Sequence, residues 1–597
     1  MTTSIISRLY ASRIPWPTHL LALAAGLYSI TNPNIQIFLA IHLLATLLLD
    51  TERLLAALQD PSEPPLIPHP YLPFLGHALG LFRHGASYFS LVNAQTQHPI
   101  FTLQTLGART VCVTCPQLAA PIQRANKNTT FYGMILEVTR RLVAFDDAAM
   151  GIIRWNLDGE MGSGEGLMRE AHDMIGAMLA PGPMLNQLST TQLDIFARML
   201  NENVVSPRGA PGSGPGPGPG PGPGPVLETS LMDFVKGIFT RANALTIYGP
   251  QNPFERHPEL VQKFWDYEAG MIQVMADIAP WITARKAWAA REAINAALHE
   301  FIEKEHYRSA SPLIQKRVAI NLKHGLSKKM AGRGELILLF GIIGNAVPTT
   351  FWFLAHVFGR QGLLAEIREE MRRVVLHAKA ADGTMDKTIR VGDLKTKCPL
   401  LVSAYRETLR CIANLSSVRL VRNTHTIHGG GSGGSGGGPG HGSSYVLKKG
   451  TMIQIASGVI HASEAVWGPG AKTFDPQRFI AGTTWSEQFS AETGGSSSGS
   501  ERTATALPQN VPSAAYRAFG GGSVICPGRH FAQSEILGFV ALCANMFEVE
   551  DVHGGPMQVP ERDDRRIPLS VMKPVVEPMV RIQRRVGEER VRWRLEL

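Results

Sequence analysis

Charged residues make up only 18% of this 597-residue chain, and lysine and arginine nowhere gather into a dense block. The formal net charge of +9 therefore gives little support to a nucleic-acid partner. It fits better a basic face turned toward an acidic protein or an anionic lipid surface. Cysteine is equally scarce, with six residues scattered along the chain and no disulfide framework, as expected of a domain facing a reducing compartment. Cys112 and Cys115 have the spacing of a zinc or redox pair, but no second Cys/His pair completes a tetrahedral site, so they read as two free cysteines on a strand. No dinucleotide-binding glycine fingerprint and no flavin domain is present. A small-residue cleavage site before a polar mature start is also missing, which argues against a cleaved signal peptide.

Apolar residues, by contrast, are plentiful at 44%, enough for one large core. Two apolar stretches, 20–30 and 35–49, lie near the N-terminus, split by Thr31-Asn32-Pro33-Asn34. Each is shorter than the ~20 residues of a full span, so one kinked span, a shallow hairpin or an interfacial anchor all remain open. Pro61, Pro64, Pro65, Pro68, Pro70 and Pro73 then stiffen the chain. The expected organisation is a tail over 1–16, a membrane anchor over 17–49, a proline-rich hinge over 50–75 and one domain over 76–597. Low-complexity insertions at 209–225, 429–444 and 493–506 are too poor in apolar residues to fold and read as exposed loops, tolerated because loop-closure cost grows slowly with length. The second expands a hairpin, with Tyr445–Thr451 resuming as strand and turn.

One local pattern dominates the C-terminal part: Phe519-Gly520-Gly521-Gly522-Ser523-Val524-Ile525-Cys526-Pro527-Gly528. A glycine-rich loop, free to lie flat against a planar ligand, delivers one cysteine to the start of a helix. Pro527 suits the first helical position, and Leu537, Val540, Ala541 and Ala544 mark the core-facing stripe. N–H groups at that helix start would favour a thiolate, and a thiolate so held suits an axial haem ligand.

The run Phe-x-x-Gly-x-x-x-Cys-x-Gly-x-x-x-Ala, carried by Phe519, Gly522, Cys526, Gly528 and Ala532, resembles the cytochrome P450 family. Upstream, Glu407-Thr408-Leu409-Arg410 and Phe474-Asp475-Pro476-Gln477-Arg478-Phe479 are similar to two further motifs of that family. The resemblance implies a mainly α fold with small β-sheets and an N-terminal membrane anchor, with haem b bound through Cys526. It also implies a buried structural triad of Glu407, Arg410 and Arg478. Residues 334–359 read as one apolar helix, in which Pro348 is expected to open a local break exposing Gly344 and Asn345 to a pocket. A membrane span is the alternative for this stretch. The family's usual acid and first threonine are replaced here by Val347 and Pro348. Gly344-Asn345, Pro348 and Phe351-Trp352 together look like the sterol 7α-hydroxylase, sterol 12α-hydroxylase and prostacyclin synthase branch. Val524 replaces the usual cation two residues before the cysteine, leaving Arg419 (or Arg422) for a haem propionate.

The leading expectation is a monooxygenase that hydroxylates or oxidises a bulky lipophilic substrate (a sterol, terpenoid or polyketide) in the biosynthesis of a specialised metabolite. Asn345 and Thr349 would line its oxygen pocket. Electrons would come from NADPH-cytochrome P450 reductase, and the catalytic domain would face the cytosol from the endoplasmic reticulum membrane. The alternatives are a reductase-independent isomerase or dehydratase acting on a peroxide, a non-catalytic haem sensor or carrier, and, weakest, a multi-span transporter.

Overall fold

The computed structural model describes residues 32–597 except 106–107, 126, 158–165, 204–225, 380–383, 415, 430–442, 482–502, 567–570 and 590. The tail over 1–16, the apolar stretch 20–30 and most of the three insertions lie outside the described residues.

Helices dominate. The first, α1 (Pro33–Ala57), starts at Asn32, whose side chain accepts from the Asn34 N–H. It continues past residue 49 into the expected hinge. Ile35, Ile37, Phe38, Ile41, Leu44 and Leu47 are exposed along it. Its lower end is different: Glu52 is buried, and Gln59, just beyond, bonds Pro64 O and Leu66 N. The interior is built from α2 (Pro183–Asn203), α3 (Leu231–Tyr248), α4 (Arg285–Glu303), α5 (Lys328–Phe358), α6 (Pro399–Ile412) and α7 (Arg529–Met546). Phe196 of α2, Phe239 of α3 and Phe539 of α7 meet with ring centroids 4.6–5.1 Å apart. Gly538 of α7 lets that helix approach α2: a Cβ there would stand 2.7 Å from the Leu193 side chain.

The long helix α5 is a core element, with Ala346–Phe358 buried without interruption. It is also continuous, which corrects the expected break at Pro348. Proline removes the one bond to Gly344 O, but Thr349 Oγ1 donates to Asn345 O (2.7 Å) and Thr350 Oγ1 to Ala346 O (2.8 Å), capping the adjacent carbonyls. Gly344 is turned into the packing against Phe340 rather than toward a pocket.

A six-stranded sheet flanks the helices: β1 (Leu66–Ile67), β2 (Ile100–Thr105), β3 (Ala108–Val113), β4 (Thr129–Thr130), β5 (Ser416–Val421) and β6 (Met452–Ala456), in the order β1-β2-β3-β6-β5-β4. Cys112 is buried in β3, whereas Cys115 lies just beyond it at the start of the helix Pro116–Arg124. The glycine–serine insertion does interrupt a hairpin: His425–His428 pairs antiparallel with Ser444–Leu447, and Gly429 N–H donates to Ser443 O. The end of the third insertion is packed structure, since Thr505 N–H donates to Phe479 O (2.7 Å) and Ala504 bridges Ile480.

Candidate active site

Cys526 is set by a closed loop rather than by the helix itself. Its N–H donates to Phe519 O (3.0 Å), and Gly520 and Gly522 hold positive φ of 77° and 70°. Gly522 packs against Gln123 of the helix Pro116–Arg124, where a Cβ would come within 2.8 Å of the Gln123 carbonyl. The glycines of this loop that line the cavity are Gly520, Gly521 and Gly528. The helix α7 begins at Arg529 with Gly528 as its N-cap, two residues later than the sequence suggests for Pro527. Leu537, Val540, Ala541 and Ala544 are buried, as their spacing requires.

The Cys526 side chain is open to the cavity while protein surrounds it on the other sides. Burial consequently pushes its thiol pKa up, against the downward pull of the Gly528 and Arg529 N–H groups and the Arg529 charge. The N–H groups at the helix start pull toward the thiolate as the sequence suggests, and burial opposes them. A cation at the sulfur would be needed to complete the ionisation.

The cavity beyond Cys526 is about 540 Å³. Apolar side chains dominate it, among them Phe131, Ile175, Leu179, Ile247, Leu338, Ile342 and Val571. Asn345 and Thr349 line it from α5, with little freedom left: Asn345 Oδ1 accepts from Val571 N (3.2 Å), and the Thr349 hydroxyl is spent on Asn345 O.

Two arginines are buried in its wall. Arg419, on β5, donates from Nη1 to Val418 O (2.7 Å) and lies over the Phe131 ring, leaving Nη2 unpaired. Arg517 donates to Gln123 Oε1 (3.2 Å) and Ser417 Oγ (3.0 Å), leaving Nε unpaired. Burial and its neighbour Arg419 depress the Arg517 pKa to about 10. Neither arginine has a carboxylate partner among the described residues. Two buried guanidiniums without an anion are costly unless an anionic ligand sits between them. The two propionates of a haem would supply such anions, and Cys526, on the same cavity, would hold its iron. Arg422 instead borders a separate surface cleft with Lys127, Arg169 and Lys449. Sequence reading misses Arg517. The available signal was a charged residue inside an apolar, glycine-rich run, nine before the cysteine.

Behind this site, Glu407 sits at the centre of a dry ion cluster. Arg410 Nε and Nη2 donate to its two carboxylate oxygens (2.7 and 2.6 Å), and Arg478 Nε donates to Oε1 (3.0 Å). Asp475 N–H adds a further donor to Oε1 at 3.0 Å. All three charged side chains are at most 3% exposed. Remaining guanidinium hydrogens go to the carbonyls of His461, Ala471, Thr473, Trp467 and Gly470. The cluster staples α6 to the segment that carries Arg478, and it faces no substrate.

Known proteins match this architecture. The Cytochrome P450 family model matches residues 259–576. The monooxygenase nodJ of Hypoxylon pulicicidum is 27% identical over 564 residues, covering 93% of this chain and 96% of that protein. The 5-beta-cholestane-3-alpha,7-alpha-diol 12-alpha-hydroxylase of Sus scrofa is 23% identical over 539 residues, covering 88% and 94%. The structure of retinoic acid bound cyanobacterial CYP120A1 superposes with a TM-score of 0.61 at 16% identity, covering 88% of this chain and all of that one. With the family model running from one side of the long helix α5 to beyond the Cys526 loop, the chain belongs to the cytochrome P450 family and is a haem-thiolate monooxygenase.

Proposed function

We propose that this enzyme oxidises a bulky lipophilic substrate, a sterol, terpenoid or polyketide, within the biosynthesis of a specialised metabolite. The observation that carries this reading is the apolar cavity running from Cys526 along α5, closed by Val571 and bounded by Phe131 and Leu338. Burying apolar surface there yields about 25 cal/mol per Å², so a large hydrocarbon skeleton gains the most. Asn345 and Thr349 are the hydrogen-bonding groups of α5 at this place, and Gly344-Asn345, Pro348 and Phe351-Trp352 favour the sterol 7α-/12α-hydroxylase branch.

Bound haem supplies the dioxygen-activating redox chemistry. Cys526 would hold the iron, with Arg419 and Arg517 holding the propionates. Phe519 lines the cavity and accepts, through its carbonyl, the N–H that fixes Cys526. Electrons would come from NADPH-cytochrome P450 reductase. The exposed apolar faces of α1, of Tyr71, Leu79 and Phe82, and of Ile278, Trp281 and Ile282 support attachment to a membrane. We place the enzyme at the endoplasmic reticulum, its catalytic domain toward the cytosol.

A peroxide isomerase remains the second reading, because Val347 and Pro348 occupy the usual acid and threonine positions. The enzyme co-expressed with reductase and fed panels of sterols, terpenoids and polyketides should give a product heavier by one oxygen atom. Cys526→Ala should lose both that product and the thiolate carbonyl band of the reduced protein. Full-rate product formation without NADPH or reductase would establish the isomerase instead.

A further inference from the structure

The helix Tyr132–Val143 has 12 residues and directly follows Phe131, which lines the cavity and lies under Arg419. A helix this short is marginal in water on its own, so its place depends on what holds its ends. At the N-terminal end, β4 pairs with β5 just before Phe131. Along its length, Leu136 and Leu142 pack against the core. The C-terminal end is held by side chains from other helices. The last four carbonyls of a helix have no partner within it. Here Arg140 O accepts the Ala144 and Phe145 N–H groups, with Ala144 in the left-handed conformation (φ 57°). Each carbonyl after it is taken by a different side chain. Arg291 Nη1 donates to Arg141 O (2.8 Å), the Tyr267 hydroxyl to Leu142 O (2.8 Å) and Asn295 Nδ2 to Val143 O (3.2 Å). Arg333 Nη1 donates to Ala144 O. Arg291 and Asn295 belong to α4, Arg333 to α5 and Tyr267 to the helix Leu260–Ala269. Tyr267, Arg291 and Asn295 are buried. Glu292 offsets both arginine charges, accepting from Arg291 (2.9 Å) and Arg333 (3.3 Å). In return, Arg141 Nη1 donates to Met275 O (3.0 Å) of the helix Met271–Ala276.

We propose that Tyr267, Arg291, Asn295 and Arg333 are positioning residues for substrate selection. By clamping the end of the helix Tyr132–Val143 they hold Phe131 as a rigid wall, which sets the girth of molecule admitted beside Cys526. The inference rests on the reading that this cavity takes a bulky lipophilic substrate. None of the four lines the cavity among the described residues, so their effect passes through the carbonyls they cap. A carbonyl stripped of its donor in this place is buried and unsatisfied, and it regains a partner only by moving toward water. Released at its far end, the helix pivots about β4, Leu136 and Leu142 lift from the core, and the Phe131 ring turns with the first helical turn. The cavity then widens and discriminates less by size.

The test uses the full-length, haem-loaded protein and needs no substrate. Imidazole, a phenylimidazole and a triphenylmethylimidazole are titrated by their shift of the haem absorption band, so one iron-binding group is presented at increasing girth. In Tyr267→Phe and Asn295→Leu the dissociation constant of the widest probe should fall severalfold relative to that of imidazole. The fall should be larger in the double variant, with the thiolate carbonyl band intact. Tyr248→Phe is the control, since it also loses a buried hydroxyl–carbonyl bond, to Glu335 O (3.2 Å), but outside the clamp. It should leave the series as in the wild type. A series unchanged in the double variant, or shifted equally for every probe, overturns the proposal. A failure of the substrate reading would show in the product panels and leave this series untouched. Should the double variant lose haem, hydrogen exchange of the wild type decides. Amides of residues 136–143 protected to within about tenfold of those of α4 support the clamp, and weaker protection refutes it.

Discussion

Replacing Glu407 by glutamine removes one charge and almost no volume from the driest part of the protein. In the native cluster its carboxylate accepts Arg410 at 2.6 and 2.7 Å and Arg478 at 3.0 Å, with all three side chains at most 3% exposed. Glutamine leaves two buried guanidiniums without an anion and turns an amide hydrogen toward one of them. Breaking a buried pair in this way costs roughly 3–5 kcal/mol. The arginines keep their five backbone carbonyl acceptors, so the lower end, about 3 kcal/mol, is expected, a factor of more than about a hundred in the folding equilibrium. Denaturant unfolding followed by circular dichroism should show a lower midpoint at unchanged slope, together with a lower haem content on purification. The exposed pair Arg140–Asp147 (43% and 87% exposed) is the control, and Asp147→Asn should move the midpoint little. An unshifted midpoint in Glu407→Gln would refute the view that this charge compensates the two arginines.

Arg419→Leu and Arg517→Leu should each speed haem transfer to an apomyoglobin acceptor severalfold, and the double variant more; a transfer rate unchanged in both would remove the propionate assignment. Deleting residues 1–50 should move much of the protein from the membrane pellet to the supernatant with haem retained, because the cut spares Glu52 and Gln59. Loss of haem in that deletion, with the helical signal kept, would show that the helix α1 is part of the core.

The parts of this enzyme legible in the sequence are those encoded by short spacings. Glu407 and Arg410 lie one helical turn apart, and Cys526 follows its glycines within seven residues, so local geometry determines their meaning. The apolar run of α5 is likewise visible, but its continuity is not. Proline reads as a break unless one knows that Thr349 and Thr350 cap the neighbouring carbonyls and that packing surrounds the turn. Glu535 was invisible for a different reason. This buried residue of α7 accepts from Gln192 and Asn243, 343 and 292 residues away in the chain, and only the folded core brings them together. The surroundings of Cys526 were legible only in part: the N–H groups at the helix start were foreseen, whereas the burial opposing them was not.

The pairing of Arg419 and Arg517 has a consequence for the life of the protein in the cell. Each guanidinium is buried in the cavity wall with one nitrogen unpaired, so the chain without its cofactor carries a repulsion that it cannot relieve internally. A ligand that binds only the folded state stabilises that state in proportion to the logarithm of its concentration. Haem capture should therefore stabilise the folded chain as well as equip it for catalysis. Starving a cell of haem precursors should deplete this protein itself, not merely leave it inactive.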